Sequence, residues 1–165
     1  MGKIGVYSHA VNTEWVASGR DPAVKGGGMA YWLVKSEPGH WSWDDQVKAG
    51  TTCWDGVRNY QASNNLKAMA LGDKAFFYHS VDERRIVGIV EVVRLYYPDP
   101  SDPAGRFGMV DVKAVAPLPQ PVTLETVKAD PELDHLALVR NSRLSVQPVD
   151  EAAWRRICAL AGAKP

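Results

Sequence analysis

Apolar positions along this chain follow two rhythms, and the changes between them mark its elements. Tyr31-Trp32-Leu33-Val34-Lys35 is an aromatic and branched run that reads as a buried strand. It halts at Ser36-Glu37-Pro38-Gly39, because Pro38 biases its predecessor to extended geometry and Gly39 marks a turn. Ser42 is placed to cap a short helix, with Asp44 and Asp45 in its first turn and Gly50 just past its end. Thr51 to Trp54 reads as a short strand entering an Asp55-Gly56 turn. A second helix is expected from about Gln61 to Ala70, with Leu66, Met69 and Ala70 inward and Gly72 closing it.

The strongest strand signals follow. Lys74–His79 and Ile86–Tyr97 are rich in β-branched and aromatic residues, and the charged Ser80–Arg85 stretch between them reads as a hairpin connection. Gly88, inside the second strand, predicts a bulge or a close backbone approach. Pro98, Pro100 and Pro103 make a surface loop. Phe107–Ala116 alternates as a strand, which Pro117, Pro119 and Pro121 are expected to end. Thr123 caps a short helix to about Ala129, Leu133–Val139 reads as a helical turn, and Arg143–Val146 as a short strand. Asp150 then caps a last helix with Trp154, Ile157 and Leu160 on one face and Gly162 after it. Five or six strands with short helices and no repeated βαβ unit predict an α+β fold, a mixed, partly closed β-barrel with short flanking helices.

Residues 1–28 do not share these rhythms. They end in Gly26-Gly27-Gly28 directly before Met29, and a triple glycine is a flexible joint. The expectation is a flexible N-terminal extension, upstream of the native start or appended to it, in which Trp15 and Val16 pack only locally. Residues 29–165 form one domain, the number that a chain of 165 residues accommodates.

Nineteen basic residues balance nineteen acidic ones, so no global positive field draws the chain to nucleic acid or to an anionic membrane. Any nucleic-acid role needs a local basic patch and a specific pocket. Cys53 and Cys158 form no CxxC pattern, and with His9, His40, His79 and His135 they give no zinc spacing. No metal or other cofactor is expected. No apolar run approaches the roughly 20 residues of a membrane span, and no secretory signal opens the chain. These features predict reduced thiols, a cytoplasmic location, no membrane partner and a monomer by default.

One stretch escapes the packing rhythms. From Trp54 to Asn65 the chain reads Trp-Asp-Gly-Val-Arg-Asn-Tyr-Gln-Ala-Ser-Asn-Asn, an indole, a glycine, a guanidinium and several amides with almost no apolar periodicity. Flat rings beside planar donors and acceptors suit a flat, edge-polar ligand such as a nucleobase. The plainer alternative is a helix-leading loop whose amides cap backbone groups and whose aromatics are core.

Taken with Tyr31–Pro38, the run Trp54–Ala62, the run Phe76-Phe77-Tyr78-His79-Ser80 and the later Arg143-Leu144-Ser145-Val146-Gln147-Pro148, this stretch closely resembles the EVE domain family, over roughly residues 30–161 and in the same order. The resemblance implies a PUA-like fold related to YTH and ASCH domains. It also implies a reader of modified bases in DNA or RNA, which in bacteria is often coupled to defence or modification systems. Carried over by motif, the implied pocket comprises Lys35, Ser36 and Glu37, then Trp54, Val57, Arg58 and Asn59, then Tyr78, His79 and Ser80. Trp54 takes the place of one wall of the YTH aromatic cage. The second cage aromatic does not align clearly, and Tyr97 and Phe107 are the candidates beside the proline loop.

Each of these residues has a functional and a structural use. Trp54 would stack on a base, worth about 1–3 kcal/mol, or fill the core. Asn59 would pair edge-on with a base or cap a helix. Arg58 would hold a phosphate bidentately or pair with Asp55. Ser36 and its backbone would meet the base edge or close a strand-end turn. Lys35 and Glu37, two apart, lean to one face as pocket groups or as a surface ion pair. His79 would line the pocket or sit satisfied in its strand. Lys67, Arg140 and Arg143 would make backbone contacts at the rim or form a solvated face.

Three functions follow. A non-catalytic module would hold a flipped, modified base, with flipping costing a few kcal/mol and a methyl group worth about 1 kcal/mol, so that discrimination is roughly tenfold. A hydrolase of modified nucleosides or small amides, as in some ASCH relatives, would use Lys35, Glu37 and His79 as acid–base groups. It lacks a Gly-x-Ser-x-Gly elbow, a metal spacing and a glycine-rich phosphate loop, and Cys53 would have only His79 as a partner. A protein-interaction domain would use the prolines between residues 98 and 121.

Overall fold

A computed structural model describes residues 29–165, and the expected N-terminal extension lies outside the described residues. Along the chain run β1 (Tyr31–Ser36), α1 (Trp43–Ala49), β2 (Thr51–Cys53), α2 (Tyr60–Ala68), β3 (Lys74–His79), β4 (Arg85–Pro98), β5 (Gly108–Thr123), α3 (Leu124–Ala129), α4 (Ala137–Arg140), β6 (Val146–Val149) and α5 (Glu151–Ala161).

The six strands form one sheet in the order β2-β5-β4-β3-β1-β6. β1 and β3 are parallel, and the other pairs are antiparallel. β2 and β6 are its two edges, so the fold is α+β with a mixed barrel that is not closed. It curls all the same. Trp54, one residue past β2 at one edge, packs edge-on against Phe77 of β3 with ring centroids 5.5 Å apart.

Strand alternation sends neighbouring side chains to opposite faces, and each face has its own core. On the inner face Trp32 and Val34 of β1, Phe77 of β3, and Val110 and Val112 of β5 pack with Trp43 of α1, Ala62 and Leu66 of α2, and Trp54. On the outer face Leu33, Phe76, Tyr78 and Ile86 pack with Val127, Leu138, Trp154 and Ile157 from α3, α4 and α5. Trp154 is stacked on Phe76 at 3.9 Å and on Tyr31 at 4.4 Å.

Local chemistry sets the ends of the helices. Ser42 accepts from the Asp45 backbone N–H while the Asp45 carboxylate accepts from the Ser42 N–H, a capping box that starts α1. Asp150 caps α5 through Ala153 N–H, and Gly162 ends it in the left-handed conformation. Gly88 is needed for a close approach, since a Cβ there would stand 2.6 Å from the Trp43 ring.

Four expectations shift. α2 ends at Ala68 rather than Ala70, because Met69 turns to extended backbone while its side chain stays in the core. β5 runs through Pro117, Pro119 and Pro121 to Thr123. Its partner β2 pairs only with Asp111–Lys113, so the rest of that side is open and a missing N–H costs no ladder bond there. The helical turn expected at Leu133–Val139 becomes α4 at Ala137–Arg140. The last strand is Val146–Val149, not Arg143–Val146, since Leu144 N–H turns back onto Asn141 O and only Val146 onward reaches the register of β1.

Candidate functional site

Consecutive residues nominated for one pocket are divided between the two faces. Ser36 and His79 point inward with Trp54 and Val57, while Lys35 and Tyr78 point outward. The result is two separate candidate regions.

The first is the loop from Trp54 to Asn59. Trp54 is 2% exposed, so its indole offers no open face for stacking, and the expected Trp54-walled hollow gives way to a core tryptophan edge-on to Phe77. Val57 is likewise core. Gly56 takes φ +81°, where a side chain would be strained. Its N–H donates to Asp99 Oδ2 at 2.8 Å, and Arg58 Nη1 donates to the same oxygen at 3.1 Å. Arg58 is therefore paired with Asp99, across 41 residues. Arg58 Nη2 also donates to Ser101 Oγ at 2.9 Å. Asp99 Oδ1 accepts from the Ser101 N–H and hydroxyl. Burial opposes its charge, but the donors of Ser101, Gly56 and Arg58 outweigh it and hold the carboxyl below its usual range. Asn59 caps α2, its Oδ1 accepting from Ala62 N–H at 2.9 Å.

Around this anchored loop lies an exposed surface with one large ring. Tyr60 is 60% exposed and leans on Phe107 with centroids 4.8 Å apart. The guanidiniums of Arg58 and Arg106 flank Phe107 at 5.7 and 5.8 Å. Phe107 and Tyr97, the two candidates for a second cage aromatic, are both buried. Tyr97 lies beneath the Arg94 guanidinium at 3.6 Å and donates its hydroxyl to Asp111 Oδ1 at 2.5 Å.

The second region is a cleft of about 280 Å³ lined by Lys35, Glu37, Ser80, Val81, Ser142, Arg143 and Ser145. Thus four nominated residues do meet, namely Lys35, Glu37, Ser80 and Arg143, but Trp54, Val57, Arg58, Asn59 and His79 are not among the lining. Lys35 Nζ donates to Ser142 O at 2.8 Å, and burial lowers its pKa. Tyr78 is buried beneath Lys35, which stands 5.7 Å from the ring centroid, and burial raises its hydroxyl pKa.

His79 is held by both ring nitrogens. Nε2 accepts from Trp43 N–H at 3.0 Å, which leaves the proton on Nδ1, 2.9 Å from Glu83 Oε1. The acid–base trio of Lys35, Glu37 and His79 is therefore not assembled. Ser36 Oγ donates to Trp41 O at 2.6 Å, closing the strand-end turn. Of the expected rim, Lys67 stands 5.4 Å over the Tyr96 ring, Arg140 Nε donates to Asp134 O, and only Arg143 reaches the cleft. Among the described residues no three His, Cys, Asp or Glu side chains converge as metal ligands, and no helix is long and apolar enough to cross a membrane.

Sequence reasoning missed Asp99, although Pro98-Asp99-Pro100-Ser101 carries the Asx-turn signal that could have found it. It also missed Ser142, which carried no signal apart from the fold, and gave no role to Ser145, although that residue stands inside the Arg143–Pro148 run.

The EVE domain profile matches residues 30–160. Rat thymocyte nuclear protein 1 is 37% identical over 82% of this chain and 75% of its own length. A solved protein of Rhodopseudomonas palustris is 53% identical with a TM-score of 0.77, covering 81% of this chain and 94% of that one. Human THYN1, solved in complex with 5-methylcytosine-containing DNA, is 34% identical with a TM-score of 0.75, over 82% of this chain and 99% of that one. A Zygosaccharomyces rouxii YTH domain, 19% identical with a TM-score of 0.50 over 82% of this chain and 88% of that one, shares the fold. The profile match across nearly the whole described domain, with relatives of this identity and coverage, establishes that the chain belongs to the EVE domain family.

Proposed function

We propose that this protein is a non-catalytic nucleic-acid-binding module that reads a modified base. The observation that carries this reading is its 34% identity, over 82% of its length, to human THYN1, which was solved with 5-methylcytosine-containing DNA. The geometry supports it at the 54–60 surface. There an exposed tyrosine leans on Phe107, whose ring two guanidiniums flank, beside a loop fixed by a buried carboxylate. A ring offered to solvent can stack on a base, and flanking arginines can meet phosphates. With no net charge on the chain, binding depends on this local arrangement.

The test is a binding screen with oligonucleotides carrying 5-methylcytosine, 5-hydroxymethylcytosine, N6-methyladenine or no modification, as DNA and as RNA. A preference of roughly tenfold for one modified base is expected, since a methyl group contributes about 1 kcal/mol. Tyr60→Ala should weaken that binding by about 1–3 kcal/mol with the fold intact. Trp54→Ala is a poorer probe, because removing a buried indole costs about 3–5 kcal/mol of stability. Equal, weak binding to every oligonucleotide would return the chain to the protein-interaction reading.

A further inference from the structure

We propose that the cleft between the ends of β1 and β3 and the 142–145 turn is a phosphodiester subsite, where Lys35 and Arg143 hold one backbone phosphate of the bound strand. This rests on the nucleic-acid-binding reading and adds to it a second, sequence-independent contact on the outer face of the sheet. Two cations from distant parts of the chain converge on one cavity of about 280 Å³, below the usual range for a drug-sized ligand but ample for a phosphate and its ester oxygens.

Lys35 is pre-positioned. One of its three N–H bonds goes to Ser142 O at 2.8 Å and its ammonium stands 5.7 Å from the Tyr78 ring centroid, which leaves two donors free for a ligand at a fixed place. Burial has removed part of its hydration, and a partly desolvated ammonium attracts an anion more strongly than a surface one. Ser145 supplies a second, independent sign. It lines the same cleft, is 3% exposed, and its hydroxyl has no hydrogen-bond partner among the described residues, so a ligand oxygen in the cleft would satisfy it. Charge selects the ligand class. Glu37 in the same lining opposes two cations with one carboxylate, leaving a single positive charge. That matches the single negative charge of a phosphodiester, whereas a terminal phosphate would bring a second charge against Glu37.

Lys35→Gln, Arg143→Gln and Glu37→Gln can be compared with the parent protein by oligonucleotide anisotropy across a salt series. The first two should each weaken binding by roughly tenfold at low salt and reduce the salt slope by about 1, equally for modified and plain strands. Glu37→Gln should tighten binding, an effect with the opposite sign that a merely structural role would not produce. In parallel, dimethyl phosphate is titrated while the amide resonances of Ser80, Ser142, Arg143 and Ser145 are followed by NMR, with shifts expected in the parent and lost in Arg143→Gln. If no oligonucleotide binds but dimethyl phosphate shifts these amides, the base-reading proposal fails and the subsite stands. If the amides do not respond, or if Lys35→Gln and Arg143→Gln leave affinity and salt slope unchanged, the subsite is overturned.

Discussion

Asp99 shows how one carboxylate can organise a loop that lies 41 residues before it in sequence. It collects the Gly56 N–H, the Arg58 guanidinium and both donors of Ser101, and it is 2% exposed. Asp99→Ala would strand these donors, and a loss of about 2–3 kcal/mol is expected in urea unfolding at pH 7. The pH dependence has a definite sign. The folded-state pKa lies below the unfolded one, so the contribution is complete above the ordinary carboxylate range and disappears as pH falls through the lowered folded value. The gap between parent and Asp99→Ala should hold constant from neutrality to about pH 5 and narrow below about pH 4. A gap that does not change with pH would mean that the charge contributes nothing. At this scale the sequence was only half legible. Asn59 and Arg58 were each open to a structural and a ligand use, and their structural partners, Ala62 N–H and Asp99, are brought to them by the fold alone.

Elements were more legible, because their signals are local. The Ser42 cap, the Gly50 stop, the Asp150 cap and the Gly162 end all fall where the sequence puts them. Gly88 is the instructive case. Periodicity flagged it as a bulge or a close approach, and the structure has both, with a register shift between Ile86 and Gly88 and the Trp43 ring against the backbone. Gly88→Ala should cost about 1–3 kcal/mol by overpacking. Trp43→Leu, which frees that space, should make the same substitution much less harmful. A double-mutant cycle with no coupling between the two would exclude this contact as the reason for the glycine. The misplaced last strand and the proline-bearing β5 were illegible for a shared reason, since strand limits are set by where a partner strand begins and stops.

For the whole molecule, the decisive feature is that β1, β3 and β4 feed two cores at once. Neither face can lose its packing without loosening the strands that serve the other. Unfolding of the described domain should therefore be a single transition, with tryptophan fluorescence and far-ultraviolet circular dichroism following the same denaturant curve. Separate midpoints would show that the outer helices unfold as an independent unit. The same alternation explains why the nominated residues do not all line one cavity. Lys35-Ser36-Glu37 and Tyr78-His79-Ser80 look like continuous patches in one dimension, yet each strand sends adjacent residues to opposite sides. The EVE fold was legible across its length, because several motifs agree in order. The single pocket was not, because pocket membership is decided face by face.

The prolines of β5 have a consequence of their own. A long strand with one open side is the usual template on which a second molecule adds a strand and begins to aggregate. Pro117, Pro119 and Pro121 are all exposed and have no N–H to donate, so an incoming chain meets gaps where it would need hydrogen bonds. The residues that look like a strand terminator thus act as a guard against self-templating along this margin of the sheet.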